Sequence, residues 1–187
     1  MKKILSLILA LCMMATLACG CGQTEDTSSS TDVSAATSVS LTLQDVKDSI
    51  TELANTFGFS KSISLADTKA AEGNALTHTF DILNDNLVLV VTEKDGLVKE
   101  IYVGNYWELF KTNGKTDEEA IAHVKSVSAV ALGACTGITD MGAFENGLWA
   151  SPQQNGEYTN YEYSQGGWLY KAAIGPQMVT IAAFPQE

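Results

Sequence analysis

The cysteine and histidine side chains that could support nucleophilic or metal chemistry are scattered along this sequence. Cys135 is the only cysteine outside the N-terminal region, and a cysteine nucleophile needs a base within hydrogen-bond reach. His123 lies twelve residues earlier on the same predicted helix. That spacing separates the two by about 120° around the helix, so they cannot meet there. Cys135 also falls on the apolar stripe of this helix, so we expect a core residue.

The two histidines do not complete a metal site in the sequence. His123 and Glu119 lie four residues apart on the second predicted helix, but a zinc site needs three or four ligands. An exposed helical pair explains this spacing better. His78 shares a predicted strand face with Phe80 and Ile82, which indicates a packed histidine. We expect no metal and no cofactor.

Motifs of catalysis and phosphate binding are also missing. The sequence has no Gly-rich phosphate loop, no Gly-x-Ser-x-Gly motif and no His-Glu-x-x-His motif. Asp81 and Asn84–Asn86 lack the residue order of a calcium loop and favour a turn. We therefore expect a protein that is not an enzyme. The alternative is a cell-surface hydrolase with an unrecognised carboxylate pair, because 22 acidic residues offer many pairs.

Aromatic residues form the strongest candidate for a binding surface. Tyr161, Tyr163, Trp168 and Tyr170 crowd two of the last predicted strands. Exposed aromatic rings stack on sugars or anchor protein partners. Strands are also rich in aromatic residues for packing reasons alone. The sequence favours a binding module for a protein, peptide or glycan, with these four residues as candidate contacts.

The charge of the chain argues against a nucleic-acid partner. All 11 basic residues are lysine, and the formal net charge is −11. Loss of Lys2 and Lys3 with a signal segment would lower that charge to −13. Such a chain is repelled by phosphate backbones and lacks the planar arginine fork that binds phosphates.

Residue patterns place these candidates on two helices and six strands. Thr42 and Thr116 are predicted to cap the helices, and Thr116 begins a capping box with Glu119. The first helix is predicted to end at Gly58, and its apolar face consists of Val46, Ile50, Leu53 and Phe57. The apolar stripe of the second helix consists of Ile121, Val124, Ser128, Ala131, Leu132 and Cys135. Predicted strands cover 76–82, 87–91, 97–103, 158–163, 168–173 and 178–184, with turns at 84–86, 95–96, 166–167 and 175–176.

These elements predict an α+β fold for one domain, residues 41–187. We expect two layers, with both helices on one face of a mostly antiparallel sheet. The helix caps lie 74 residues apart, so a tandem α-β-β-β repeat and one continuous sheet both remain open. The arrangement, with Gly114-Lys115-Thr116 and Glu119 opening the second helix, loosely resembles β-lactamase-inhibitor-like modules. That resemblance implies binding of a protein or peptide.

The N-terminus is typical of an exported protein. Lys2 and Lys3 precede an apolar run over Ile4–Ala18, which is too short to span a bilayer of about 30 Å. The segment that ends Ala18-Cys19-Gly20 resembles the lipobox of bacterial lipoproteins. The lipobox implies a lipid on Cys19, with Cys21 as the alternative acceptor; Thr16 stands where the family prefers leucine.

A polar tether is predicted between the lipid and the domain. Residues 23–40 contain six serines and four threonines, which is too little apolar surface to fold. We therefore divide the chain into a signal peptide at 1–18, the lipidated cysteine with its tether at 19–40, and the domain at 41–187. The expected location is the extracytoplasmic face of a membrane, with that membrane as one partner and a protein or glycan as the other.

Overall fold

A computed structural model describes residues 40–56, 64–82, 87–111 and 115–186 of the 187-residue chain. All of them belong to one compact unit, which comprises residues 35–187. The signal segment and nearly all of the tether lie outside the described residues. The predicted helix end at Gly58 and the predicted turn at Asn84–Asn86 also lie outside them.

Within these residues the chain forms an α+β fold, as the sequence predicts. The helices are α1 (Leu43–Thr56), α2 (Asp117–Cys135) and α3 (Met141–Leu148). The strands are β1 (Ser64–Ala70), β2 (Leu76–Ile82), β3 (Leu87–Lys94), β4 (Leu97–Tyr106), β5 (Gln153–Asn155), β6 (Tyr158–Gln165), β7 (Trp168–Ile174) and β8 (Met178–Pro185).

The eight strands form one antiparallel sheet in the order β1-β2-β3-β4-β8-β7-β6-β5. Each run of four strands is a meander in which chain neighbours pair. The last strand of each run, β4 and β8, pair at the centre, with Val103 opposite Ile181. The short strand β5 and the longer strand β1 form the two edges.

Both predicted helix caps are confirmed. The Thr116 hydroxyl accepts from the Glu119 N–H at 3.2 Å, and the Glu119 carboxylate accepts from the Thr116 N–H at 2.8 Å. The same reciprocal pair joins Thr42 and Asp45, at 3.3 and 2.8 Å. Each pair satisfies two main-chain donors that the first helical turn leaves unbonded.

The predicted turns at 95–96 and 166–167 are also confirmed, and the predicted turn at 175–176 spans residues 175–177. Asp95 and Gly96 have φ angles of 55° and 79°, and Gly166 and Gly167 have 61° and 80°. Positive φ at both central positions matches the twist of the flanking strands, which explains glycine or aspartate there.

The core joins all three helices to the sheet. Val46 and Ile50 of α1, Leu132 and Cys135 of α2, and Phe144 of α3 belong to one buried cluster. Strand residues at alternate positions complete it: Leu87, Leu89 and Val91 of β3, Ile101 and Val103 of β4, Trp168 and Tyr170 of β7, and Ile181 and Ala183 of β8. No helix in the described parts of the chain is long and apolar enough to cross a membrane.

The predicted order of one helix and three strands, repeated once, omits three elements. Strand β1 lies at the sheet edge and has no alternation of apolar residues. Helix α3 has eight residues including two glycines, and β5 has only three residues. The corrected order is one helix and four strands, followed by two helices and four strands.

Candidate functional site

Two of the four predicted contact aromatics lie in the core. Trp168 is 1% exposed and Tyr170 is 0% exposed. The Tyr170 hydroxyl donates to Thr136 Oγ1 at 2.8 Å, near the end of α2, and its ring meets Phe144 edge-on at 4.7 Å. Burial raises the pKa of Tyr170 to about 12. These two residues hold β7 against the helices and present almost no surface to a ligand.

The other two, Tyr161 and Tyr163, are half-buried on β6. They pair opposite Ala172 and Tyr170 of β7, and directly opposed residues share one face of a sheet. Tyr163 lies so close to Gly147 of α3 that a Cβ there would overlap its ring. Its hydroxyl donates to Gln165 Oε1 at 3.1 Å. Tyr163 is therefore held by its contact with α3 and by its hydrogen bond to Gln165. Tyr161 contacts other residues.

Tyr161 belongs to a lysine–aromatic cluster that consists of Lys125, Trp149 and Tyr161. The Trp149 and Tyr161 rings meet edge-on, with centroids 5.0 Å apart and planes at 85°. The Lys125 ammonium lies 4.6 Å from the centroid of the Trp149 ring and 5.6 Å from that of Tyr161. Both distances are within the range of attraction between a cation and a ring face. All three side chains are half-buried.

Burial dominates the electrostatics of this cluster. Desolvation lowers the pKa of Lys125, and the negative charge of Glu145 partly opposes that shift. Desolvation also raises the pKa of the Tyr161 hydroxyl. The Glu145 carboxylate accepts from the Ser126 hydroxyl at 3.3 Å. The cluster therefore holds a cation that has lost part of its hydration, with a carboxylate nearby.

The indole N–H of Trp149 is buried and has no acceptor among the described residues. A buried donor without an acceptor costs about 1–3 kcal/mol. An acceptor oxygen of a ligand would remove this cost, provided that the side chains covering the nitrogen shift. The cluster therefore presents ring faces and a partly desolvated ammonium at its surface, with the indole donor beneath them.

The sequence patterns did not predict Lys125 and Trp149 as binding contacts, and the reason is physical. They lie 24 positions apart in the chain, and α3, which brings Trp149 to β6, was not predicted. The sequence does contain one indication of α3, which is the capping residue Asp140. Its carboxylate accepts from the Ala143 N–H at 2.9 Å.

The side chains considered for nucleophilic or metal chemistry are kept apart. Cys135 is 1% exposed, and burial raises the pKa of its thiol to about 12. The Glu119 carboxylate is engaged in the helix cap, and the ring of His123 contacts Phe110 with centroids 5.5 Å apart. Within the described ranges, no three His, Cys, Asp or Glu residues are placed to hold a metal ion.

His78 is buried at the β1 side of the sheet, with 6% exposure. Its Nδ1 lies 3.2 Å from the Thr68 hydroxyl, within hydrogen-bond reach. Its Nε2 lies 3.3 Å from Glu93 Oε2 but makes no hydrogen bond among the described residues. The Thr68 contact links β2 to β1, and the ring is packed within the sheet.

Carboxylates are mostly exposed in this domain. None of the described Asp and Glu side chains is buried in the core. Glu100 of β4 is half-buried, and desolvation raises its pKa. No second carboxylate contributes to that shift.

Comparison with known proteins gives no relative on which to base a function. No protein-family model matches the chain. Searches of curated proteins and of solved structures likewise found no significant match.

Proposed function

We propose that this chain is a binding module held at the outer face of a membrane by an N-terminal lipid. The lysine–aromatic cluster is its contact surface for a protein, peptide or glycan. It acts by binding and not by catalysis. The observation that carries this proposal is the position of the Lys125 ammonium over the rings of Trp149 and Tyr161, all three half-buried.

The physical argument concerns hydration. An ammonium and two aromatic rings that are already partly desolvated lose less hydration when a ligand covers them than fully exposed groups do. Aromatic residues with a nearby cation are also the side chains that dominate binding energy at interfaces. Tyr161 is retained from the four predicted contacts, Tyr163 borders the cluster, and Lys125 and Trp149 are added.

The finer architecture is part of the same proposal. We infer two layers, with the helices on one face of the sheet, and two related halves that each consist of helix and meander. The buried cluster that joins residues of all three helices to alternate strand residues supports the first inference. The sheet order supports the second, since β1–β4 and β5–β8 run inward from opposite edges and meet at β4 and β8. The repeated unit would then contain four strands, not the three expected from the sequence.

Membrane attachment rests on the residues before the domain. The basic start, the short apolar run and the Ala18-Cys19-Gly20 sequence support lipidation of Cys19, with Cys21 as the alternative. One acyl chain anchors a protein only weakly, so stable attachment requires at least two chains. The tether at 19–40 would then hold the domain off the membrane surface.

A binding panel with matched variants tests the contact surface. The chain from residue 19, with Cys19→Ala and Cys21→Ala, is screened against cell-surface glycans and peptides, and each hit is titrated. Tyr161→Ala and Lys125→Gln are expected to weaken binding at least tenfold, about 1.4 kcal/mol each. Tyr158→Ala is the control, because Tyr158 is 44% exposed and strand alternation places it on the opposite face.

Three results would contradict the proposal. The first is a panel without a ligand, and the second is equal loss of affinity in Tyr158→Ala and Tyr161→Ala. The third is cleavage of a glycan that is bound, which would favour the hydrolase instead.

A further inference from the structure

The edge strand β1 has a second side that pairs with nothing in the described part of the chain. Its register with β2 runs from Ser64 to Ala70, with an irregularity between Leu65 and Asp67. The Ala71 N–H donates to the Ala75 carbonyl at 2.8 Å, so position 71 bonds toward β2. Alternate residues of an antiparallel strand bond to the same side. The main-chain groups of Thr68 and Ala70 therefore point outward.

Two exposed side chains of opposite charge flank the centre of this edge. Asp67 and Lys69 are two residues apart, so they project from the same face, and their charged groups lie 2.7 Å apart. Their side chains are 43% and 51% exposed. A single repeated charge on an edge discourages pairing, because a second copy would bring like charges together. Here the strand carries one charge of each sign, so pairing with a second copy can bring opposite charges together.

We propose that β1 pairs antiparallel with β1 of a second copy of this chain, about a twofold axis at Thr68. This register sets Asp67 opposite Lys69 of the other copy, and Lys69 opposite its Asp67. Opposite charges at directly facing positions stabilise a strand pair. Thr68 faces its own equivalent, and because its main-chain groups point outward, the two form a hydrogen-bonded pair. The facing charges and the outward main-chain groups therefore specify the same register between the two β1 strands.

The surroundings of the edge fit a second copy. Leu65 and Leu76 are 48% and 42% exposed, two of the four large apolar side chains with high exposure in the described residues. They pair with Phe80 of β2 and Ala70 of β1, beside the seam. The irregularity at Ala66 limits the regular seam to Asp67–Lys69 in each copy, so the dimer is expected to be weak.

Cross-linking through an introduced cysteine tests the register, because the remaining Cys135 is buried. The chain from residue 19 with Cys19→Ala and Cys21→Ala receives Thr68→Cys, or Ala70→Cys as the control. At a facing hydrogen-bonded pair the Cα atoms lie about 5.5 Å apart, within reach of a disulfide. Two Ala70 positions would lie about 13 Å apart, out of reach. Mild oxidation should cross-link Thr68→Cys at least tenfold faster, and equal rates for the two variants would overturn the proposal.

Charge variants test the partner independently of folding. Lys69→Glu and Asp67→Lys each bring like charges together, so each alone should lose the self-association measured by sedimentation. An equimolar mixture of the two should associate, because every facing pair is then opposite in charge. The double variant D67K/K69D should self-associate like the parent chain. If the mixture stays monomeric, or if Lys69→Glu alone still associates, a second copy is not what pairs with β1.

Discussion

Cys135 and Tyr170 illustrate how burial sets the chemistry of single residues in this protein. Both are polar groups that could react or bind in water, and both lie in the cluster with Leu132 and Phe144. The sequence predicted the position of Cys135 correctly because the residue falls on the apolar stripe of α2. It could not predict the burial of Tyr170, because strand alternation identifies a face without telling whether that face is buried.

The raised pKa of Cys135 predicts a loss of stability at alkaline pH. The thiol has a pKa of about 12 in the fold, against 9.0 for an exposed cysteine. Between these values the unfolded chain releases a proton that the folded chain keeps, so the free energy of unfolding falls as pH rises above 9. The slope for one proton is about 1.4 kcal/mol per pH unit.

Urea denaturation of the parent chain and of Cys135→Ala between pH 8 and pH 10 measures this effect. The parent is expected to lose stability above pH 9 faster than the variant, and iodoacetamide should modify Cys135 only in denaturant. Parallel stability curves, or rapid modification of the native thiol, would show that the thiol is accessible.

At the level of elements, local signals account for what the sequence predicts well. A cap, a two-residue turn and a helical stripe each depend on residues a few positions apart. Thr116 with Glu119 and Asp95 with Gly96 are examples, and the structure places helices and hairpins at them.

The elements missed from the sequence depend on contacts between distant residues. Strand β1 is mostly exposed and is held by its pairing with β2. Helix α3 is short, and the contacts of Phe144 and Gly147 with tyrosines of β6 and β7 stabilise it. Because α3 positions Trp149, missing that helix also hid one of the three residues of the lysine–aromatic cluster.

For the whole molecule, the sheet order is the property that the sequence left open. Hairpins predict which strands are neighbours within each meander, but the pairing of β4 with β8 joins residues far apart in the chain. The expected alternatives were a tandem repeat and one continuous sheet. The continuous sheet is present, and the relation between its two halves is the repeat that we propose.

The proposed membrane attachment also concerns the whole chain, and it predicts the outcome of metabolic labelling. Radiolabelled palmitate should attach to the full-length chain expressed in a bacterial host. Cys19→Ala should abolish the label, while Cys21→Ala should retain it. Label that survives Cys19→Ala and is lost in Cys21→Ala would move the acceptor to Cys21, and no label on either parent or variant would exclude a lipid anchor.

The central proposal is that ligands bind at the lysine–aromatic cluster, and the three tryptophan indole N–H groups report on it most directly. Trp107 donates to the Gly175 carbonyl at 3.2 Å, Trp168 is buried, and the Trp149 donor has no acceptor among the described residues. Each indole gives its own signal in a ¹⁵N–¹H spectrum. The signal that is missing in Trp149→Phe is that of the Trp149 indole.

A ligand from the binding panel is then titrated into the ¹⁵N-labelled chain. The proposal predicts that the Trp149 indole signal moves with ligand concentration and saturates, while the signals of Trp107 and Trp168 stay within their line widths. A Trp149 signal that does not move at saturating ligand would contradict the assignment of the binding surface.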